Sequence, residues 1–405
     1  MNQPAPAIFW FREDLRLTDN AGLHAAVSTG RPLVLLFIHD EQTQGLRPHG
    51  GASRWWLDKS LRALAKDIQS LGGQLTLRRG ASAQTLDEVI AETGAESVFW
   101  SRRYDKAERD LDASIKESLK SRGVEACSFN SRLLNEPWDV QTGSGGYYKV
   151  FTPYWKAASR DYRPGAPHPR PSNLKGPDVS SEKLESWGFH PHSPDWSTGF
   201  NDMWTPGEAG AQARLDAFLD SAINGYKQNR NRPDLEESTS GLSPHLRFGE
   251  IGPAQIWRAT TAAMEAGRVN EADGLNFLSE VGWREFSHTL LFYNPDLATE
   301  NYNTSFRHMP WRENDTVFRA WTAGQTGYPM VDAGMRQLWQ TGWMHNRVRM
   351  IVASFLTKHL LLHWRKGEAW FWDTLVDADP ANNPASWQWT AGSGADAAPY
   401  FRIFN

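Results

Sequence analysis

The sequence predicts an α/β domain followed by an all-helical domain, the two joined by a long connector. Three observations predict this. Residues 1–130 alternate short apolar runs with amphipathic segments, residues 131–206 are broken by proline and glycine, and residues 207–405 carry helical periodicity. Length agrees, because 405 residues exceed what one ordinary core organises.

In the first segment, Ile8–Phe11 and Leu33–Ile38 are continuous apolar runs and read as buried parallel strands. Ser53–Leu71 reads as a helix, with Ser53 as its N-cap and Gly72-Gly73 ending it. Gln74–Arg78 and Ser97–Trp100 read as further strands, with Thr85–Glu92 and Ala107–Ser121 as helices between them. Such alternation implies a doubly wound, Rossmann-like parallel sheet. In the connector, Gly143-Ser144-Gly145-Gly146 is followed by Pro164, Pro167, Pro169, Pro171 and Pro177, a spacing that forbids long helices. One short helix is expected near Pro153–Tyr162. Beyond it, helices are expected at Ala211–Asn224, Pro253–Ala266, Ala272–Phe292, Asp315–Ala323, Val331–Gln340 and His345–Trp364.

Composition excludes several classes. The single cysteine, Cys127, rules out a disulfide framework, a four-cysteine zinc site and a four-cysteine iron–sulfur cluster, and no metal site is expected. The net charge of −4 does not mark the whole chain as a nucleic-acid binder, although a local basic patch remains compatible with it. The apolar stretch Met350–Trp364 is interrupted by Lys358 and His359, so it reads as a buried helix and not a membrane span. No signal peptide is expected, which with the cysteine usage fits a cytoplasmic protein. Walker A, G-x-G-x-x-G, H-E-x-x-H and G-x-S-x-G patterns are absent.

Four constellations can carry chemistry. In Glu237–Phe248, Ser243-Pro244 is a helix start, and Thr239, Ser240, Gly241 and Leu242 before it can offer hydroxyls and N–H groups to an anion. The alternative is a plain capped helix. Glu280, Trp283 and Arg284 share a helix face at i, i+3 and i+4, where a carboxylate beside an indole can hold a flat polar ring. The alternative is a solvated Glu–Arg pair with a core tryptophan. In Trp343–Met350, Asn346, Arg349 and Met350 fall on one face while Arg347 points elsewhere; a buried Asn and Arg must find partners or a ligand. The alternative is an exposed charged stripe. Finally, Asp377–Trp389 packs Asp377, Asp379, Asn382, Asn383, Trp387 and Trp389 into thirteen residues, a polar loop among aromatics that suits a planar cofactor better than Ca²⁺. Twenty tryptophans in all far exceed what these sites use.

Together these motifs resemble the photolyase/cryptochrome family. Trp10-Phe11-Arg12-Glu13-Asp14-Leu15-Arg16-Leu17-Thr18-Asp19-Asn20 is similar to the family's opening signature. Thr239–Ser243, Trp283-Arg284-Glu285-Phe286, Thr326-Gly327-Tyr328-Pro329, Gly342–Met350 and Asp377–Trp389 follow in the family's order. The nearest branch reads as the bacterial class I cyclobutane pyrimidine dimer photolyases. The resemblance implies an antenna domain at 1–130, a linker at 131–206, and a helical domain at 207–405 holding FAD. By motif match, Tyr226 and Thr239–Ser243 would hold the FAD pyrophosphate and ribose. Arg349 and Asp377 would pair beside the isoalloxazine, and Asp379 and Asn383 would contact the ring, with Asn383 at its N5 edge. Asn346 would border both cofactor and substrate. Glu280, Trp283, Arg284, Met350 and Trp389 would surround a flipped dimer, and Arg230 and Arg347 would touch DNA phosphates. Trp387, Trp364 and Trp311 would conduct electrons from flavin to surface.

The resemblance further implies UV-damaged DNA as partner, a monomer without an obligate protein partner, and association with the nucleoid when DNA-bound. Two departures stand out. Glu108 is retained in the antenna region, but Ala107 stands where folate-binding members carry Asn. The antenna, methenyltetrahydrofolate or 8-hydroxydeazaflavin or none, is therefore undecided. The chain also closes at Arg402-Ile403-Phe404-Asn405, where the family's motif continues, so it reads as lacking the family's C-terminal tail. The alternatives are a cryptochrome-type photoreceptor and a DASH-type single-strand photolyase. A (6–4) photolyase fits less well, because only His345 lies near the pocket face.

Overall fold

The computed structural model describes residues 4–235 and 237–397; the motif at 402–405 lies outside them. Five strands form one parallel sheet: β1 (Ala7–Phe11), β2 (Leu33–His39), β3 (Leu75–Arg79), β4 (Ser97–Ser101) and β5 (Glu125–Phe129). The order is β3-β2-β1-β4-β5, with Ala7 paired to Leu33 on one side and to Ser97 on the other. This is the doubly wound topology the alternation predicts. Period-two alternation splits β1 between two cores. Ala7, Phe9 and Phe11 enter one hydrophobic cluster, while Ile8 and Trp10 enter another on the opposite face.

The sequence missed β5 and the Ala21–Ser28 helix, whose cap is Asn20 accepting from Leu23 N at 3.1 Å. Asn20 belongs to the opening signature, and that was the available signal. The helix predicted from Ser53 instead starts at Gly51, with Gly50 as its cap, so Ser53 is buried inside it rather than capping it. The reason is contact with the helical half. A Cβ at Gly50 would lie 2.1 Å from the Trp372 carbonyl oxygen, and Gly51 N donates to Asp373 Oδ1 at 2.8 Å.

The opening signature also joins the two halves. Leu15 N donates to Phe248 O at 3.1 Å, and Arg16 Nη1 donates to Gly249 O at 2.9 Å. Gly249 has φ +65°, and a Cβ there would lie 2.1 Å from Glu13 O, so glycine is required for this approach. Arg103, Arg132 and Arg247 surround the buried Glu13 carboxylate. Burial alone would raise its pKa, but those cations outweigh burial and hold it well below the usual range.

The connector contributes the expected helix, Phe151–Arg160, and also a 3-10 turn at Leu184–Trp187 and a short helix at Thr198–Met203 that the sequence did not announce; the helical half centres on the 23-residue helix Glu271–Tyr293. Two expectations about this half are corrected. His345–Trp364 is not one helix. It runs as Asn346–Ser354, widens into a π turn at Phe355–His359, and stops; a new helix spans Trp364–Thr374. Leu361 takes φ +56°, outside the helical region, and its carbonyl accepts from Arg312 N at 2.8 Å. Leaving the helix thus provides a partner for the backbone that precedes it. Likewise Asp377–Trp389 is a loop only in its first part, because Asn382–Ala391 is helical. Asp379 Oδ1 accepts from the N–H groups of Ala381 and Asn382, both at 2.8 Å, and so starts the turn. Among the described residues no helix is long and apolar enough to cross a membrane.

Candidate functional site

The helical half encloses a cavity of 560 Å³, within the size range of ligand sites, roughly 300–1,000 Å³. Every residue named above for cofactor or substrate lines it: Tyr226, Arg230, Thr239–Ser243, Glu280, Trp283, Arg284, Asn346, Arg347, Arg349, Met350, Asp377, Asp379, Asn383, Trp387 and Trp389. Segments from Tyr226 to Trp389, 163 positions apart in sequence, therefore converge on one space. Trp311 and Trp364 do not line it; they lie behind it, in and against the core cluster that holds Trp387.

One wall is an ion pair. Arg349 reaches Asp377 with both terminal nitrogens, at 3.0 and 2.9 Å, and its Nε donates to Met344 O at 2.7 Å. Ser243 donates its hydroxyl to Asp377 Oδ2 at 2.6 Å. This corrects Ser243 as an N-cap. Leu242 is the cap of the short Ser243–Phe248 helix, and the Ser243 side chain is committed to the carboxylate. Gly241 beside it takes φ +62°. The irregular 239–242 segment runs along the cavity wall.

A second wall is the Glu271–Tyr293 helix. Trp283 stacks on Phe151 of the connector helix with centroids 3.8 Å apart. Glu280 does not pair with Arg284, as the solvated alternative would have it. Its partner is Arg230, with Nη1 to Oε1 at 2.5 Å. Burial raises the Glu280 pKa while Arg230 and Arg347 pull it back. Arg284 is 8% exposed and donates to Arg132 O at 2.7 Å, so it is an internal cation and not a surface contact. Arg347 was expected to point away from Asn346 and Met350. Instead it joins them on the cavity rim, with Nη2 donating to Asn231 Oδ1 at 2.7 Å. The cause is the early end of that helix, whose first turn starts at Asn346 with His345 accepting from Arg347 N at 3.1 Å.

The third wall is the Asn382–Ala391 helix. Asp379 sits beneath its start, 3.6 Å from His288 Nε2 and 3.8 Å from Arg132 Nη2. Burial would raise its pKa, but His288, Arg247, Arg284 and Arg132 together hold it well below the carboxylate range. Asn383 donates both amide hydrogens to Glu368, to its main-chain O at 3.0 Å and its Oε1 at 2.8 Å. Behind this wall, Trp387 packs against the Trp364–Thr374 helix at Gly367, where a Cβ would lie 2.1 Å from the indole. Gly367 lies three residues after Trp364, so both face the same way. Trp311 meets His363, the neighbour of Trp364, in a tilted ring contact with centroids 5.1 Å apart.

Four buried polar atoms on the cavity wall have no hydrogen-bond partner among the described residues: Arg247 Nη1, which is ion-paired to Glu13, and Arg284 Nη2, Asp379 Oδ2 and Trp387 Nε1. Buried polar groups are costly when unpaired, so this wall is built for a ligand offering both donors and acceptors.

A smaller cavity of 110 Å³ lies where the sheet domain meets the helical half, lined by Trp10, Arg12, His39, Arg47, Arg103, Glu108 and Trp372 among others. Glu108 pairs there with Arg103 at 2.8 Å, and burial raises its pKa. Sequence reasoning named Glu108 but missed Arg47 and Glu368, which pair across 321 positions, and Arg103, which also reaches Glu13.

Comparison with known proteins settles the family. The model for DNA photolyase matches residues 7–172, and that for the FAD binding domain of DNA photolyase matches residues 277–405. A deoxyribodipyrimidine photo-lyase of Agrobacterium fabrum is 52% identical, over 99% of this chain and 83% of its own.

The chain belongs to the photolyase/cryptochrome family.

Its cofactor is FAD, and the orphaned donors and acceptors of the larger cavity suit a flavin, whose ring edge carries both. A plant relative, cryptochrome-1 of Arabidopsis thaliana, is 36% identical over 98% of this chain and 60% of its own. Among solved structures, a bacterial class III photolyase from Agrobacterium tumefaciens superposes with a TM-score of 0.96 at 51% identity, covering 100% of this chain and 83% of that one. That corrects the branch: the chain is nearer the class III photolyases than class I. An archaeal photolyase from Sulfolobus tokodaii, solved with two FAD molecules, gives a TM-score of 0.81 at 28% identity, covering 98% of this chain and 86% of that one.

Proposed function

We propose that the protein is a light-dependent DNA repair enzyme that splits cyclobutane pyrimidine dimers. The observation that carries this reading is Glu280. It is a carboxylate lining the cavity with Trp283, paired to Arg230, in the same cavity as the Arg349–Asp377 pair. Reduced FAD, excited by blue or near-UV light, supplies the electron that opens the cyclobutane ring and takes it back afterwards.

The residues then divide the work. Tyr226 and the Thr239–Ser243 segment hold the pyrophosphate and ribose, with backbone N–H groups and hydroxyls as donors. Arg349 and Asp377, already forked together, would flank the ring, Asp379 would meet its polar edge, and Asn383 would face N5. Photolyases as a class extrude their target from the duplex, and a poorly stacked dimer lowers that cost. Trp283, Met350 and Trp389 offer the apolar and aromatic surface such a flipped dimer needs, with Asn346 and Glu280 as its polar contacts. Arg230 and Arg347 flank the opening, where phosphates would pass. Trp387, Trp364 and Trp311 lead from the cavity towards the surface. The smaller cavity around Glu108 is where a light-harvesting chromophore would sit. The enzyme would act as a monomer in the cytoplasm, on UV-damaged DNA.

The test is the visible spectrum of the purified protein, followed by dimer repair under blue light. A flavin band with light-dependent restoration of pyrimidines supports the reading. A flavin band without repair, on both duplex and single-stranded substrate, would favour the photoreceptor role suggested by the cryptochrome relatives.

A further inference from the structure

Arg47 belongs to the sheet domain, yet its guanidinium reaches the helical half. Its Nη1 and Nη2 donate to Glu368 Oε1 and Oε2 at 2.7 and 2.9 Å, a parallel two-bond fork. The Arg47 plane lies 3.9 Å from the Trp372 ring centre, and Trp372 Nε1 is itself fixed by Pro48 O at 2.8 Å. Glu368 is 4% exposed at its side chain, so it has no competing solvent. The same Oε1 that takes Arg47 also takes Asn383 Nδ2.

This fixes which way the Asn383 amide points. Both its N–H bonds face acceptors, the Glu368 main-chain oxygen and Oε1. Turning the amide over would set its carbonyl oxygen against two other oxygens, so that orientation is excluded electrostatically. Asn383 lines the larger cavity. Its oxygen is therefore the end presented to the cavity, and the Arg47 fork is what keeps Glu368 in place to enforce it.

We infer that Arg47 is a positioning residue for the flavin: it acts through Glu368 to hold the Asn383 carbonyl as a hydrogen-bond acceptor at the flavin edge, so the sheet domain tunes the cofactor's redox balance. The inference rests on the placement of Asn383 beside the flavin ring. An acceptor there favours the reduced flavin, whose N5 carries a proton, over the oxidised flavin, whose N5 does not. Arg47 also lines the smaller cavity, so whatever occupies that cavity touches the first member of this relay.

The experiment is a redox titration of the FAD-loaded protein at constant pH, with flavin stoichiometry measured in parallel. Arg47→Met should keep its flavin and shift the oxidised-to-reduced ratio at a fixed potential roughly five- to tenfold towards oxidised, as loss of one oriented hydrogen bond dictates. Arg47→Lys keeps the charge but not the fork, and should fall between. Because Arg47→Met strands the Glu368 carboxylate, the double variant Arg47→Met/Glu368→Gln removes that charge. It should fold and still show the shift, since an unanchored Gln presents either end to Asn383. Asn383→Ala separates the premises. If it shifts the ratio while both Arg47→Met and the double variant match wild type, Arg47 has no positioning role. If Asn383→Ala leaves the ratio unchanged, the placement of Asn383 is wrong and the relay falls with it.

Discussion

Arg230 and Glu280 form a 2.5 Å ion pair on the rim of the larger cavity. The resemblance alone separates them, assigning one to phosphate and the other to the dimer. In the fold they are partners, and the arginine tempers a carboxylate whose pKa burial raises. Substrate contact by Glu280 therefore depends on Arg230. Glu280→Ala should leave flavin occupancy intact and weaken dimer binding by roughly 1.5–3 kcal/mol, the worth of a charge-assisted hydrogen bond. Arg230→Ala should move the pH profile of dimer binding upward, because Glu280 loses the charge that holds its pKa down. Binding isotherms at several pH values check both. Loss of flavin from the Glu280 variant would make that residue structural.

Trp364 is fully buried, with its Nε1 donating to Asn301 Oδ1 at 2.8 Å. Its helix face meets Trp387 at Gly367, and His363 beside it is in tilted ring contact with Trp311. Trp364→Phe should abolish photoreduction of oxidised flavin and spare repair by chemically reduced enzyme. Transient absorption with unchanged photoreduction kinetics would remove Trp364 from the route.

On the proposed function, the Arg349–Asp377 fork serves both cofactor and fold. Asp377 is 4% exposed at its side chain and Arg349 is 23% exposed. Arg349→Met should strand the carboxylate at a cost of about 2–3 kcal/mol, below that of a fully buried pair because Arg349 is partly wet. Adding Asp377→Asn should restore melting temperature but not flavin content. Recovery of both would show that the fork is structural only.

Glu285 supplies a pH test within the Trp283–Phe286 motif. It is 1% exposed, accepts from Leu134 N at 2.6 Å, and burial pushes its pKa up from 4.5 to about 7. A folded pKa above the unfolded one means the folded state holds the extra proton. This group's contribution is complete below pH 4.5 and is lost as pH rises to about 7, by up to roughly 3 kcal/mol. Glu285→Gln keeps an acceptor for Leu134 N and cannot ionise. Its stability between those limits should fall less steeply with pH than wild type, by urea titration. Parallel slopes would show that Glu285 does not titrate there.

The sheet was legible because strand and helix periods differ, and Ile8–Phe11 and Leu33–Ile38 have no polar residue to blur them. The cavity residues were legible as motifs because each motif stays within about a dozen positions. What escaped was anything set by a distant partner. Ser243 looks like an N-cap until Asp377, 134 positions away, takes its hydroxyl. His345–Trp364 looks like one helix until Arg312 claims the Leu361 carbonyl. Arg47 carries no local signal at all, because its meaning lies in Glu368, 321 positions away.

Arg347 differs from Arg230 in one respect that binding can read. Arg230 is held by a carboxylate, whereas Arg347 donates to a neutral carbonyl, Asn231 Oδ1, on an exposed stretch of chain. Arg347 meets Glu280 only through space and without a hydrogen bond, so more of its charge is left for a phosphate, and Arg230 must first give up Glu280. Each phosphate neutralised on duplex DNA contributes about 0.9 to the slope of log affinity against log salt. Arg347→Ala should flatten that slope by roughly one unit and weaken damaged and undamaged duplexes alike. Arg230→Ala should change the slope less and damage discrimination more, since its charge is largely spent on the residue that meets the dimer. Titrating both duplexes at several salt concentrations separates the two variants. If Arg347→Ala lost only discrimination, with its salt slope intact, the side chain would be turned inward to the flipped base and the rim assignment would be wrong.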